Sequence, residues 1–235
     1  MDDSFQSQVV HQACVRWTVE QAISIRNVSK IVSGIKLLDR VDLYVPAGQI
    51  VGIVGQRSSG KNTLFQAIAG FANVNIGEIR VWGKVVGKAN VYPDDTGFLM
   101  DFQGFLPQIS GFRNLMILAD IEGKATRQQI IDAMRMVGLD PDLKRPYSKY
   151  TLPMKQKLSL AQALMEEPKL LLLDEPMKNL DEQSAEKIRS LLLYLNQTKK
   201  VTILLTSRSN DDIRDMCSSL YNMQDGVLLP PKLSS

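Results

Sequence analysis

The chain has 235 residues, 44% of them hydrophobic and 23% charged, with a formal net charge of +3, which suits one globular domain of generous size or two small subdomains with a real core. Basic and acidic residues are interspersed, which argues against a nucleic-acid partner, and no apolar run approaches the ~18 residues that a membrane-spanning helix requires. The opening MDDSFQSQVVHQ lacks the basic start and apolar stretch of a secretory signal, and the cysteines Cys14 and Cys217, far apart and without metal-ligand spacing, suit reduced thiols in a cytosolic protein.

Residues 1–21 show no clear periodicity, although Phe5, Val9, Val10 and Val15 can mark a short amphipathic helix, and the segment reads as an N-terminal extension to a domain spanning 22–235. Strand signals begin with AISIRNV from Ala22, followed by the alternation Val41, Leu43, Val45, a turn at Pro46-Ala47-Gly48, and the apolar run Gln49 to Val54. Such a run suits a strand buried on both faces of a parallel sheet. KNTLFQAIAG then reads as a helix ended by Gly70.

The middle of the chain is helical in pattern. Ser110 caps a helix through about Ala119, Thr126 with Gln129 forms a capping-box pattern, and MKQKLSLAQALM places Leu158, Ala161, Leu164 and Met165 on one helical face. These define a helical insert over about residues 102–168 within an α/β chain. The sheet pattern returns with KLLLLDEP, a helix from about Gln183 to Leu195, the strand VTILLT, a helix around Asp211 to Met216, and a hairpin turn at Asp225-Gly226.

Two stretches carry chemistry. VGIVGQRSSGKNTLF nearly spells G-x-x-x-x-G-K-[ST], with Gly55, Gly60 and Lys61 in place, Asn62 where Ser or Thr is expected, and Thr63 one position late. A phosphate needs converging backbone N–H donors, a lysine and a helix N-terminus, and strand, glycine loop and helix supply that context. LLLLDEP ends a buried strand in two carboxylates at the sheet edge where α/β sites lie. Asp174 is placed to orient magnesium through its water shell and Glu175 to polarise a water. Either stretch alone also suits an ordinary structural turn.

Together with the run Tyr150 to Pro176, these motifs resemble the nucleotide-binding subunits of ABC transporters. Met154-Lys155-Gln156-Lys157-Leu158, Ala161-Gln162-Ala163-Leu164, Asp174-Glu175-Pro176 and Asn179-Leu180-Asp181 fall in the family's order, and GFLPQISGFRNL and VGLDP are similar to wording in single-domain members that serve peptide-antibiotic export and self-immunity. The resemblance covers about Ala22 to Gly226. It implies a P-loop NTPase core with a parallel sheet, an N-terminal antiparallel β region and a helical subdomain insert. It further implies ATP and magnesium as ligands, with Gly55, Ser58, Ser59, Gly60, Lys61, Asn62 and Thr63 on the nucleotide, Asp174 and Asn62 on the metal, and Glu175 as the catalytic carboxylate. Thr151, in the signature turn, would meet the nucleotide of a second nucleotide-binding subunit. The implied partners are that subunit, identical or not, and a membrane permease docking near the helical insert, so that the protein lies peripherally at the cytoplasmic face of the membrane.

Six positions depart from the family pattern at the chemistry. Asn62 replaces the hydroxyl that ligates magnesium, and Ser58 stands where glycine is usual, which is tolerable unless the residue needs positive φ. Val32 falls where an aromatic stacks on adenine, and Asp101, with Gln103 two places on, occupies the γ-phosphate-sensing loop. Pro153 removes an N–H from the signature turn while suiting the first position of a helix, and Arg208 replaces a switch histidine. The one histidine, His11, reads as an ordinary exposed residue. Two functions stand: a slow ABC-type ATPase, or a catalytically weak nucleotide-binding partner of a competent subunit. A soluble ABC-type protein acting on ribosomes or DNA has less support, because the chain has neither tandem nucleotide domains nor long coiled insertions.

Overall fold

The computed structural model describes residues 20–87, 91–100 and 104–230. His11, Cys14, Asp101, Gln103 and the expected short helix near the N-terminus lie outside the described residues.

The period-2 segments pair first. β1 (Gln21–Val32) and β2 (Ile35–Pro46) form an antiparallel ribbon in which Ile23, Ile25 and Val28 oppose Val45, Leu43 and Val41, all buried. The strand thus starts at Gln21, one residue before the expected domain boundary. The run Gln49 to Val54 becomes β3 (Ile50–Val54), buried at every position, and passes through the glycine loop into α1 (Lys61–Ile68). β4 (Ile76–Val81) and β5 (Lys84–Val86) then join the ribbon in a four-stranded sheet of order β2-β1-β4-β5.

After β6 (Thr96–Leu99) come the three helices α2 (Gly111–Glu122), α3 (Arg127–Met136) and α4 (Leu152–Leu164). Each begins where the sequence offers an oxygen to a free N–H: Ser110 accepts from Arg113, Thr126 and Gln129 close a reciprocal capping box, and Thr151 accepts from Met154. Pro153 is the second helical residue, not the first; its missing N–H is still one that no helical carbonyl would have met. β7 (Leu170–Leu173), α5 (Glu182–Lys199) and β8 (Thr202–Ser207) follow, and a final hairpin of β9 (Ser219–Gln224) and β10 (Val227–Leu229) turns at Asp225-Gly226.

The second sheet has the order β10-β9-β3-β8-β7-β6, parallel throughout except for the terminal hairpin. Its apolar strands feed two cores. Leu170 and Leu172 face α1 and the antiparallel sheet, whereas Leu171 and Leu173 face α4, α5 and the other helices. That division explains the four consecutive leucines, since a strand covered on both sides needs apolar residues at both parities.

The strands β4, β5 and β6 are short or broken by exposed polar residues, and the sequence reading does not identify them. The helix expected around Asp211 to Met216 is a turn with a single 3-10 segment, Arg214–Met216. Side chains there capture the local backbone: Ser207 Oγ accepts from the Ser209 N–H and Ser209 Oγ from the Asp211 N–H, bonds that compete with a helical ladder.

Gly97 marks a tight contact in the parallel sheet. A Cβ there would lie 2.0 Å from the carbonyl oxygen of Ala163 in α4. Gly97→Ala is expected to push α4 off β6 and cost about 1–3 kcal/mol, read as a lowered midpoint in urea or thermal unfolding.

Candidate nucleotide site

β3, β7 and β8 run parallel, so their C-terminal ends emerge together, and the polar residues that follow them meet at one edge. A cavity of about 540 Å³ opens there, lined by Ser58 to Thr63, Asp174, Glu175 and Arg208 among others. A second cavity of about 670 Å³ lies on the far side of the loop and shares Arg57, Ser58, Ser59, Arg208 and Asp225 with the first. Gly55 lines the second cavity. Thr151 lines neither.

The loop is held by its own lysine. Lys61 Nζ donates to the carbonyls of Gly55 and Gln56, the latter at 2.9 Å, and the residue is almost wholly buried. Burial holds its ammonium below the ordinary lysine value; the carboxylates of Glu175 and Asp174 oppose that shift and the Arg208 guanidinium adds to it. Gly60, at φ 109°, turns the chain into α1 so that the first N–H groups of the helix face the cavity. Ser58 has φ 66°, a left-handed conformation that a glycine would adopt without penalty.

The acidic end is braced from two elements, β8 and α4. Asp174 accepts from the Thr206 hydroxyl of β8, and that oxygen in turn accepts the Glu175 N–H at 3.0 Å. Gln156, buried in α4, donates to the carbonyls of Glu175 and Pro176, each at 3.1 Å. Glu175 itself has φ 48°, and bonds on both sides of its backbone hold it in that strained conformation. Its carboxylate pairs with Arg208 Nε at 2.8 Å.

Magnesium, which the resemblance implies, finds a partial fit. Asp174 has the right chemistry at the right edge. Asn62 offers one neutral oxygen, Oδ1, which also accepts from Gln66 Nε2 at 2.6 Å, one turn along α1, while its amide nitrogen can only donate.

Val32, the position of the expected base contact, is absent from the cavity lining among the described residues. Ile35, Lys36 and Leu37 line it instead, because the turn at Ser33-Gly34 brings the start of β2 over the loop. The sequence reading misses these, as well as Lys178, Gln156 and Thr206. Thr206, the polar end of VTILLT beside the acidic strand, and Gln156, within the motif that carries the resemblance, left readable signals.

A family model described as ABC transporter matches residues 38–178. The chain belongs to this family. It is 34% identical over 88% of its length, and 94% of the relative's, to the uncharacterized ABC transporter ATP-binding protein YybJ of Bacillus subtilis. To the bacitracin transport ATP-binding protein BcrA of Enterococcus faecalis it is 31% identical, over 90% of the chain and 69% of that protein. The fold matches the dimeric bacterial ABC transporter cassette MJ0796 with a TM-score of 0.80 at 21% identity, covering 89% of this chain and 97% of that one. The architecture is therefore the P-loop NTPase core with its antiparallel N-terminal sheet.

Relief of strain at Ser58 is measurable. Glycine removes about 1–2 kcal/mol of left-handed strain but adds about 0.5–1 kcal/mol of unfolded-state entropy. Ser58→Gly is therefore expected to stabilise the chain by about 0.5–1 kcal/mol, raising Tm by roughly 1–4 °C in calorimetry.

Proposed function

We propose that this chain is the ATP-binding subunit of an ABC transporter, that it hydrolyses ATP slowly, and that it drives a membrane permease from the cytoplasmic face. The observation that carries this reading is the convergence of Lys61, Asp174 and Glu175, far apart in sequence, on one cavity at the sheet edge. Gly55 to Thr63 would cradle the phosphates, with Lys61 leaving its two carbonyl partners for the outer phosphates. Glu175 would take a proton from the attacking water. Bound magnesium would supply added charge on the phosphates, next to Asp174. Thr151, at the N-terminus of α4 and apart from the cavity, is suited to meet the nucleotide of a second subunit, so the working unit would be a dimer. Residues about 102–168 would form the unit that meets the permease.

Slow turnover follows from how the site is paired. Arg208 has no proton to shuttle near neutral pH and occupies the carboxylate that must accept one. The pair is half exposed on the arginine side, so it is worth ~1 kcal/mol or less, weak enough for a phosphate to displace. The same pair favours a second reading, a non-catalytic subunit beside a competent partner, in which Glu175 would stay engaged throughout the cycle.

Phosphate release by the chain assembled with its permease separates these. For a slow ATPase, Glu175→Gln lowers release by about 10²- to 10⁴-fold while ATP still binds, and Arg208→His raises it. Wild-type release equal to that of Glu175→Gln, with ATP bound in both, would leave only the non-catalytic reading.

A further inference from the structure

β8 ends in two polar residues, Thr206 and Ser207, and between them they reach both halves of the cavity. The Ser207 carbonyl accepts the Gly55 N–H at 3.2 Å, which ties the strand to the glycine loop. One residue earlier, the Thr206 hydroxyl reaches the acidic strand, where it donates to Asp174 and accepts the Glu175 N–H at 3.0 Å. Both bonds are directional. The hydroxyl has a single hydrogen to give, and with Asp174 taking it the oxygen is left as the acceptor for Glu175.

Packing alone does not call for a threonine here. Thr206 is fully buried and lies opposite Ile53 of β3, in a layer where valine would have the same shape and no hydroxyl to satisfy. Its β-branched side chain has few rotamers open to it, so the oxygen stays where the strand puts it. The Glu175 backbone, by contrast, is strained: φ is 48°, a region that a residue other than glycine adopts only when its surroundings hold it there. Gln156 holds the carbonyl of that residue and the Thr206 hydroxyl holds its N–H. Without the hydroxyl the N–H loses its partner and the turn is free to relax, taking the carboxylate with it.

We infer that Thr206 is a positioning residue for the hydrolytic step. Its hydroxyl holds the Glu175 backbone in the left-handed turn that keeps the carboxylate in the cavity, and Ser207 beside it fixes that turn relative to the loop that would carry the phosphates. The inference rests on the reading of Glu175 as acceptor of the attacking water's proton. A general base must stay within hydrogen-bond reach of that proton, and a displacement of about 1 Å can cost about 10²-fold in rate. ATP binding, which draws on Lys61 and the loop, is left alone.

The test compares Thr206→Val, which keeps the shape and deletes the hydroxyl, with Thr206→Ser, which keeps the hydroxyl, each as the full-length chain assembled with its permease. Thr206→Val is expected to lower kcat for phosphate release by about 10- to 10²-fold, with KM and the affinity for ATP in magnesium unchanged within about threefold. Thr206→Ser is expected to stay within about threefold of the wild-type kcat. Thr206→Ala, a second variant without the hydroxyl, is expected to lower kcat alike, so the result does not depend on how valine packs. Equal losses in Thr206→Val and Thr206→Ser would overturn the inference, by making side-chain shape the cause. Weaker ATP binding in magnesium by Thr206→Val would also overturn it, by assigning the hydroxyl to Asp174 and the metal. Wild-type release above the Glu175→Gln control, undiminished in Thr206→Val and Thr206→Ala, sinks this inference alone; wild-type release no greater than that control sinks the reading of Glu175 with it.

Discussion

Everything at the candidate site depends on a sheet buried on both faces. Because β3, β8 and β7 lie side by side and parallel, with Ile50 opposite Ile203 and Leu171 opposite Ile203 on the other side, their ends are set in common register. Apolar side chains at both parities anchor each strand between α1 and the helical side of the core. At roughly 25 cal/mol per Å² of apolar surface removed from water, such strands cannot slip without exposing a whole row of leucines or isoleucines. The residues at or just beyond the ends of that anchored layer, Gly55, Asp174 and Thr206, therefore emerge at the same edge.

At that edge the ligand-free protein satisfies its polar groups internally. Lys61 bonds carbonyls of its own loop, Asn62 bonds Gln66, and Glu175 pairs with Arg208. Each pair can exchange for a phosphate or a water, but at different cost. The Arg208 pair is solvent-exposed and weak; the Lys61 contacts are buried and placed where phosphate oxygens would take over the same donor. Nucleotide binding is thus a swap of partners, and those easiest to release are the exposed ones, Asn62 with Gln66 and Glu175 with Arg208.

The backbone of Glu175 behaves differently. Its N–H is held by Thr206 in β8, its carbonyl by Gln156 in α4, and its φ is 48°. The helix that carries Thr151 at its start is the one that fastens this turn. The position of α4 therefore bears on the backbone that carries the Glu175 carboxylate.

The sequence by itself determined the apolar strands, the capped helices, the glycine loop, the acidic strand end and their family. These depend on periodicity and on residues a few positions apart, where capping and turn chemistry are local. It also shows which positions depart from the pattern, though not with what effect. Three short strands with mixed polarity escaped it, and the Asp211 to Met216 segment misled it, because serine side chains outcompete a helical ladder only in a particular loop geometry. Only the tertiary structure decided that Ser58 is left-handed, that Gln66 donates to the oxygen of Asn62, that Ile35 and not Val32 lines the cavity, and that Arg208 meets Glu175 across 33 positions. The physical reason is that a side chain's partner, unlike its periodicity, depends on distant segments that the packed sheet alone brings within hydrogen-bonding distance.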